Sequence, residues 1–152
     1  MDSADKPKVR YKTFTYRTRV SWSGKRSGVL RSDGKADIRT ASPPEFKGEA
    51  GVWSPEDLFV ASVESCLLMT FLELASKRQL PLASYESHAN GVLEFIDGDY
   101  RFTRIVLFPT IVVAKTTKED EVYAVLRDAH AHCLVANSIS SIIELNPTIV
   151  LQ

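Results

Sequence analysis

The sequence lacks several things, and each absence narrows the possibilities. Among 152 residues there are only two cysteines, Cys66 and Cys133, too few for a secreted disulfide framework. There is no surplus of either charge: 19 Lys+Arg offset 19 Asp+Glu. That balance argues against a nucleic-acid binder, which needs excess Lys/Arg to neutralise phosphates, and against a polybasic membrane anchor. No uncharged run is long enough for a bilayer span, because the most apolar stretch, residues 58–75, carries Glu64 and Glu73. The polar start, Met1-Asp2-Ser3-Ala4-Asp5-Lys6-Pro7, has no basic-then-apolar signal pattern. Internal repeats, low-complexity tracts and linkers are also missing. The expectation is one soluble cytoplasmic domain over residues 1–152, with residues 1–9 flexible and its thiols reduced.

What is present is patterned. Residues 11–22 alternate threonine, aromatic and basic residues with period two, which predicts a strand. Turn chemistry at Ser23-Gly24-Lys25-Arg26-Ser27-Gly28 and Ser32-Asp33-Gly34 separates it from short strands at residues 29–31 and 36–41, giving a three-stranded meander. Ser54-Pro55-Glu56-Asp57 is a strong helix start, with Ser54 as N-cap, proline at the first helical position and acidic residues at the dipole's positive end. From Leu58 to Ala75 apolar residues cover nearly every direction around the axis, which predicts a helix buried on all sides. In so short a chain that much cover implies a partner subunit. Residues 84–96 and 100–114, joined by Asp97-Gly98-Asp99, read as a long antiparallel hairpin. A second helix is expected from Thr117 in capping-box style, a further helical segment over residues 133–145, and a last strand at residues 148–151. The order βββ-α-ββ-αα-β is an α+β pattern.

The chemistry centres on the cysteines. A free cysteine in a buried helix is often a small hydrophobe and nothing more. A reactive one needs its thiolate stabilised, for which Lys25, Arg26 and Arg31 are the cations at hand. A guanidinium held by a carboxylate suits that task, and Glu56 is a candidate orienter. His130, His132 and Cys133 are adjacent, but helical residues two apart diverge by about 200°, so no metal is expected there. Trp22 and Trp53, with Phe46 and Phe59, are candidates for core packing or for an apolar pocket.

Trp53-Ser54-Pro55-Glu56-Asp57-Leu58-Phe59-Val60-Ala61-Ser62-Val63-Glu64-Ser65-Cys66 resembles the signature of the OsmC/Ohr family, in which Pro-Glu-x-Leu leads into small residues ending in cysteine. Cys133-Leu134-Val135-Ala136-Asn137-Ser138 is similar to that family's second-cysteine motif, although many relatives carry proline where this chain has Leu134. Gly24-Lys25-Arg26-Ser27-Gly28 resembles its arginine-bearing turn. The resemblance implies an intertwined homodimer with sheets wrapped around central helices, acting as a thiol-dependent peroxidase on organic hydroperoxides. By the same resemblance Cys66 is the peroxidatic nucleophile and Cys133 the resolving cysteine, joined to it as a transient disulfide. Arg26 stabilises the thiolate, with Arg31 as the alternative, and Glu56 holds the arginine. A dithiol, lipoyl groups being the family's known type, is the reductant, and no cofactor or metal is implied. The competing reading is a non-catalytic dimeric binding protein with inert thiols.

One geometric expectation follows from the residues alone. Ten helical residues separate Glu56 from Cys66 by about 15 Å along an unbroken axis. An Arg26/Glu56 pair serving Cys66 is therefore expected to come from the partner subunit.

Overall fold

The computed structural model describes residues 11–152, so the expected flexible segment at residues 1–9 lies outside the described residues. The chain divides between Ser54 and Pro55 into two compact units.

The first unit is the expected meander. Strands β1 (Arg19–Gly24), β2 (Ser27–Arg31) and β3 (Ile38–Ala41) pair antiparallel in the order β1-β2-β3. Gly24 pairs with Ser27, so Lys25 and Arg26 form the tight turn. Lys25 adopts a left-handed φ of 47°, as the positive-φ turns favoured in hairpins require. Residues 11–18, expected as part of the first strand, are outside it. β2 ends at Arg31, opposite Arg19, and so offers these residues no ladder partner. Pro44–Phe46 makes one 3-10 turn in the connection to Trp53. Trp53 in turn rejoins β3, its carbonyl accepting the Ala41 N–H at 3.0 Å.

The second unit begins with helix α1 (Pro55–Lys77), unbroken over 23 residues and starting where the Ser-Pro-Glu-Asp signal places it. The hairpin of β4 (Leu82–Ile96) and β5 (Asp99–Val113) follows, turning at Asp97 and Gly98, whose φ values of 52° and 86° match a positive-φ turn. Helix α2 (Glu119–Ala131) comes next, two residues after Thr117. The expected capping box does not form. Lys118 is the N-cap with no side-chain cap, the buried Thr117 hydroxyl has no partner among the described residues, and Glu119, Asp120 and Glu121 supply the dipole complement instead.

The largest departure is residues 133–145, expected as a helix. They form a turn, a 3-10 segment (Ala136–Ser138) and strand β6 (Ile142–Leu145). The serines at 138, 140 and 141 and the β-branched Ile142-Ile143 favour turn and strand over helix, and parallel pairing to β5 decides the outcome. Strand β7 (Thr148–Leu151) continues along β5 in the same register. β6 and β7 thus act as one strand interrupted at Asn146-Pro147, where proline has no N–H for the ladder.

One sheet face and the two helices make the core: Val63, Leu67, Phe71 and Ala75 of α1, Ile105, Leu107, Ile111 and Val113 of β5, and Val122, Val125, Leu126 and Ala129 of α2. Within the chain α1 is not buried on all sides. Its buried stripe is only those four residues at intervals of four, while Met69 is 60% and Leu72 38% exposed. Among the described residues it is the one helix long and apolar enough by composition to cross a membrane, yet that stripe belongs to the core.

Candidate functional site

Cys66 lies one residue before the core residue Leu67, half-buried on the shoulder of α1. Cys133 is buried at 1% exposure just past the end of α2. Packing of the two helices brings the two free thiols close enough for each to influence the other's ionisation. The two cysteines that the resemblance singles out are therefore neighbours within one chain, both as free thiols.

The segment that carries Cys133 is braced at many points. Asn137 N–H donates to Cys133 O at 3.0 Å, and Asn137 Nδ2 reaches back to Ala131 O at 2.9 Å. Ser138 donates twice, its N–H to Val135 O at 3.0 Å and its Oγ to Leu134 O at 2.7 Å. Arg78, just beyond α1, forms an ion pair with Asp128 near the end of α2, tying the two helix ends together. The Asn137-Ser138 pair of the second-cysteine motif thus fixes the turn that presents the thiol.

The two thiols are perturbed in opposite directions. Burial alone pushes Cys66 up. Against it act the Val135 N–H, the Cys133 thiol, the Leu134 N–H and the Thr70 hydroxyl, and together they hold Cys66 below the ordinary cysteine value. Burial pushes Cys133 up; the Ala136 N–H opposes this, and the neighbouring Cys66 sulfur adds to it by hydrogen bonding and by charge. The two thiols therefore differ in acidity, with Cys66 the more acidic.

Glu56 sits in the first turn of the same unbroken helix, about 15 Å along the axis from Cys66, so the two do not meet along it. Its Oε2 is buried and has no hydrogen-bond partner among the described residues. Arg26 belongs to the first unit, where it lines a hollow of about 590 Å³ with Lys25, Ser27, Lys47, Gly48 and Glu49. There Nη1 donates to Phe46 O at 2.8 Å. Arg31 is committed to Asp37, with Nε 3.0 Å from Oδ2, whereas Arg26 has no carboxylate partner among the described residues. Of the two arginines, Arg26 is the one left available.

Other residues fall outside the site. Glu64 is turned toward β4, where its charge acts on Tyr85. Trp22 and Trp53 are 80% and 54% exposed, so neither packs into the core of its unit, while Phe59 stacks on Phe102 with centroids 4.8 Å apart. His132 Nδ1 lies 2.8 Å from Asp128 O. Among the described residues no three His, Cys, Asp or Glu side chains converge as a metal site. Sequence reasoning missed Thr70 and the main-chain donors after Cys133. Thr70 was accessible as the hydroxyl one turn beyond Cys66, but main-chain donors leave no mark in residue identity.

Comparison with known proteins places this arrangement. The family model described as OsmC-like protein matches residues 48–148. No curated protein matches. An OsmC-like protein of unknown function from Vibrio cholerae is similar at 25% identity and a TM-score of 0.82, covering 89% of this chain and 99% of the other. An organic hydroperoxide resistance protein from Elizabethkingia anophelis aligns at 19% identity and a TM-score of 0.74, covering 94% and 100%. One from Legionella pneumophila aligns at 20% and 0.69, covering 93% and 100%. With the family match spanning well over half of its length, both cysteines included, this chain belongs to the OsmC-like protein family.

Proposed function

We propose that this protein is a thiol-dependent peroxidase that reduces organic hydroperoxides. The observation that carries the reading is the pair of free thiols Cys66 and Cys133, brought close together and shifted in opposite directions. The Cys66 thiolate attacks the terminal oxygen of the hydroperoxide. The O–O bond breaks, an S–O bond forms, and the departing alkoxide takes a proton to become the alcohol. The Cys66 sulfenic acid is then attacked by Cys133 sulfur, which loses its proton. A disulfide forms and water leaves. A dithiol, of lipoyl type, reduces the disulfide by two exchange steps and is itself oxidised to a cyclic disulfide. The contrast in acidity suits the order of events, because the nucleophile must be ionised first and the resolving thiol only after oxidation of its neighbour.

The working unit in this reading is a cytoplasmic homodimer. A second copy covers the apolar flank of α1, and the Arg26/Glu56 pair serving Cys66 belongs to the other subunit. Supporting this are the unbroken α1, the partnerless Glu56 oxygen and an Arg26 without a carboxylate. A buried carboxylate oxygen left unsatisfied costs about 1–3 kcal/mol, a deficit that a guanidinium removes.

Thiol titration before and after one equivalent of cumene hydroperoxide tests the chemistry. Wild type is expected to lose two thiols, and Cys66→Ser to consume no peroxide. Unchanged thiols in the wild type would leave the non-catalytic binder as the better reading. Mixing Arg26→Ala with Cys66→Ser subunits tests the shared site. Hybrid dimers should regain activity that neither variant has alone, and no regain would rule out an arginine given across the interface.

A further inference from the structure

The chain as a whole is neutral, yet the hollow of about 590 Å³ in its first unit is not. Lys25, Arg26 and Lys47 line it against one carboxylate, that of Glu49. Arg39 already occupies both oxygens of that carboxylate, with Nη1 3.0 Å from Oε1 and Nη2 2.6 Å from Oε2. Neither the Lys25 nor the Lys47 ammonium has an ion-pair partner among the described residues. Both lysines also sit on unusual backbone. Lys25 has φ 47° and Lys47 φ 58°, and they are the two non-glycine residues of the first unit, among those described, in the left-handed region. Glycine takes that region without strain, so the ammonium is what lysine adds at each position. The two turns that carry them are tied to each other. Ser42 N–H donates to Arg26 O at 3.1 Å, and Arg26 Nη1 donates to Phe46 O at 2.8 Å. Gly48 N–H donates to Pro43 O at 3.0 Å, and the chain is so close there that a Cβ on Gly48 would lie 1.5 Å from Ser42 O.

The volume is that of a small-molecule site, but the lining has none of the apolar side chains on which most such sites rely. Charge is therefore what this hollow offers a ligand. A carboxylate brings one charge and is matched best by a single planar guanidinium fork. A phosphate group brings two charges on a tetrahedral body, which suits two separate ammonium groups acting as point charges. We propose that the hollow is a phosphate-binding site in which Lys25 and Lys47 hold a dianionic phosphate group, either the free ion or a monoester of a small organic molecule. Arg26 frames the hollow through its bond to Phe46 O and is not required to hold the anion. The site asks nothing of the thiols and lies wholly within the first unit.

The test uses the full chain under reducing conditions at about pH 8, where a phosphate monoester carries close to two charges. Amide resonances of isotopically labelled protein are followed as inorganic phosphate, glycerol phosphate or acetate is added, with chloride holding the ionic strength constant. With phosphate, the amides of Lys25, Ser27, Lys47 and Gly48 should shift and saturate. The Trp22 indole N–H, which donates to Lys25 O at 2.9 Å, should shift with them. The tighter of the two phosphate compounds identifies the occupant as the free ion or an ester. Lys25→Gln and Lys47→Gln should each weaken binding about fivefold, the upper range for an exposed charge pair, while Lys25→Arg and Lys47→Arg keep most of it. Lys25→Gly and Lys47→Gly remove the ammonium and relieve the left-handed backbone together, so they should weaken binding equally and decide the matter if a Gln variant does not fold. Shifts that never saturate, acetate bound as tightly as phosphate, or affinity unchanged by loss of either lysine would overturn the site. Phosphate binding without peroxide reduction, or the reverse, separates this site from the peroxidase reading.

Discussion

Gly91, in the middle of β4, is a place where a single methyl group should be felt. A Cβ built there lies 2.4 Å from Val60 Cγ2 of α1 and 2.9 Å from Phe102 Cε1 of β5. Ordinary carbon contacts are about 3.5–4.0 Å, so more than about 1 Å of movement is needed. Neither neighbour moves cheaply. Val60 is β-branched in a helix, where one χ1 rotamer dominates, and the Phe102 ring is stacked on Phe59. Overpacking of this kind costs about 1–3 kcal/mol. Removing a glycine from the unfolded chain returns about 0.4–1 kcal/mol. The net expectation for Gly91→Ala is a loss of about 1–2 kcal/mol, or roughly 2–8 °C in Tm for a chain of this size. Urea and thermal denaturation of Gly91→Ala, Val60→Ala and the double variant form the assay. Val60→Ala removes the obstructing methyl, so the double variant should be more stable than the two separate losses imply, by about 1 kcal/mol. A Gly91→Ala protein as stable as wild type, or strictly additive losses, would refute the reasoning.

Two further expectations follow from the titratable groups. Under reducing conditions at pH 7, iodoacetamide should label Cys66 well before Cys133, as read by peptide mass mapping, and labelling of Cys133 first would contradict the assigned acidities. The linked stability has a definite sign. Cys66 is lowered on folding, so its contribution is full above the ordinary cysteine value and disappears as pH falls through its own lower one, whereas that of Cys133 is full below the ordinary value and disappears as pH rises through its raised one. Tyr85 is pushed up to about 12 by burial and then by the Glu64 charge, with Ser87 pulling the other way. Its protonated form therefore favours folding below pH about 10, and that support is lost between about 10 and 12. Alkaline difference spectra should show a late-titrating step that is absent in Tyr85→Phe; a wild-type spectrum without that step would show the burial to be wrongly assigned.

The parts of the fold legible in the sequence were those written in local chemistry. Ser54-Pro55-Glu56-Asp57 marks the start of α1, and Asp97-Gly98 marks the long hairpin. Residues 133–145 were misread because a short apolar run with serines suits either period. Only β5, distant in sequence, provides the ladder that selects strand for Ile142–Leu145. The same limit applies at residues 11–18, whose alternation is that of a strand but which have no partner beyond Arg31. At the site, residue identity pointed to Cys66 and Cys133. The donors at Leu134 and Val135 were invisible because every residue except proline carries an N–H.

Helix α1 shows why apolarity all around a helix does not by itself say what buries it. The core uses only Val63, Leu67, Phe71 and Ala75, a stripe that would serve equally well with polar residues at 69 and 72. Such a choice would even suit an isolated chain better, since exposed methionine and leucine gain nothing from water. A Glu56 oxygen buried without a partner is likewise a net cost to the chain by itself. These departures from self-sufficiency occur on one helix, the one that also carries the ionisable Cys66. A cost repeated along a functional helix is best explained by something outside the chain that removes it. The second copy proposed here accounts for both, covering the apolar flank and offering a guanidinium to the carboxylate.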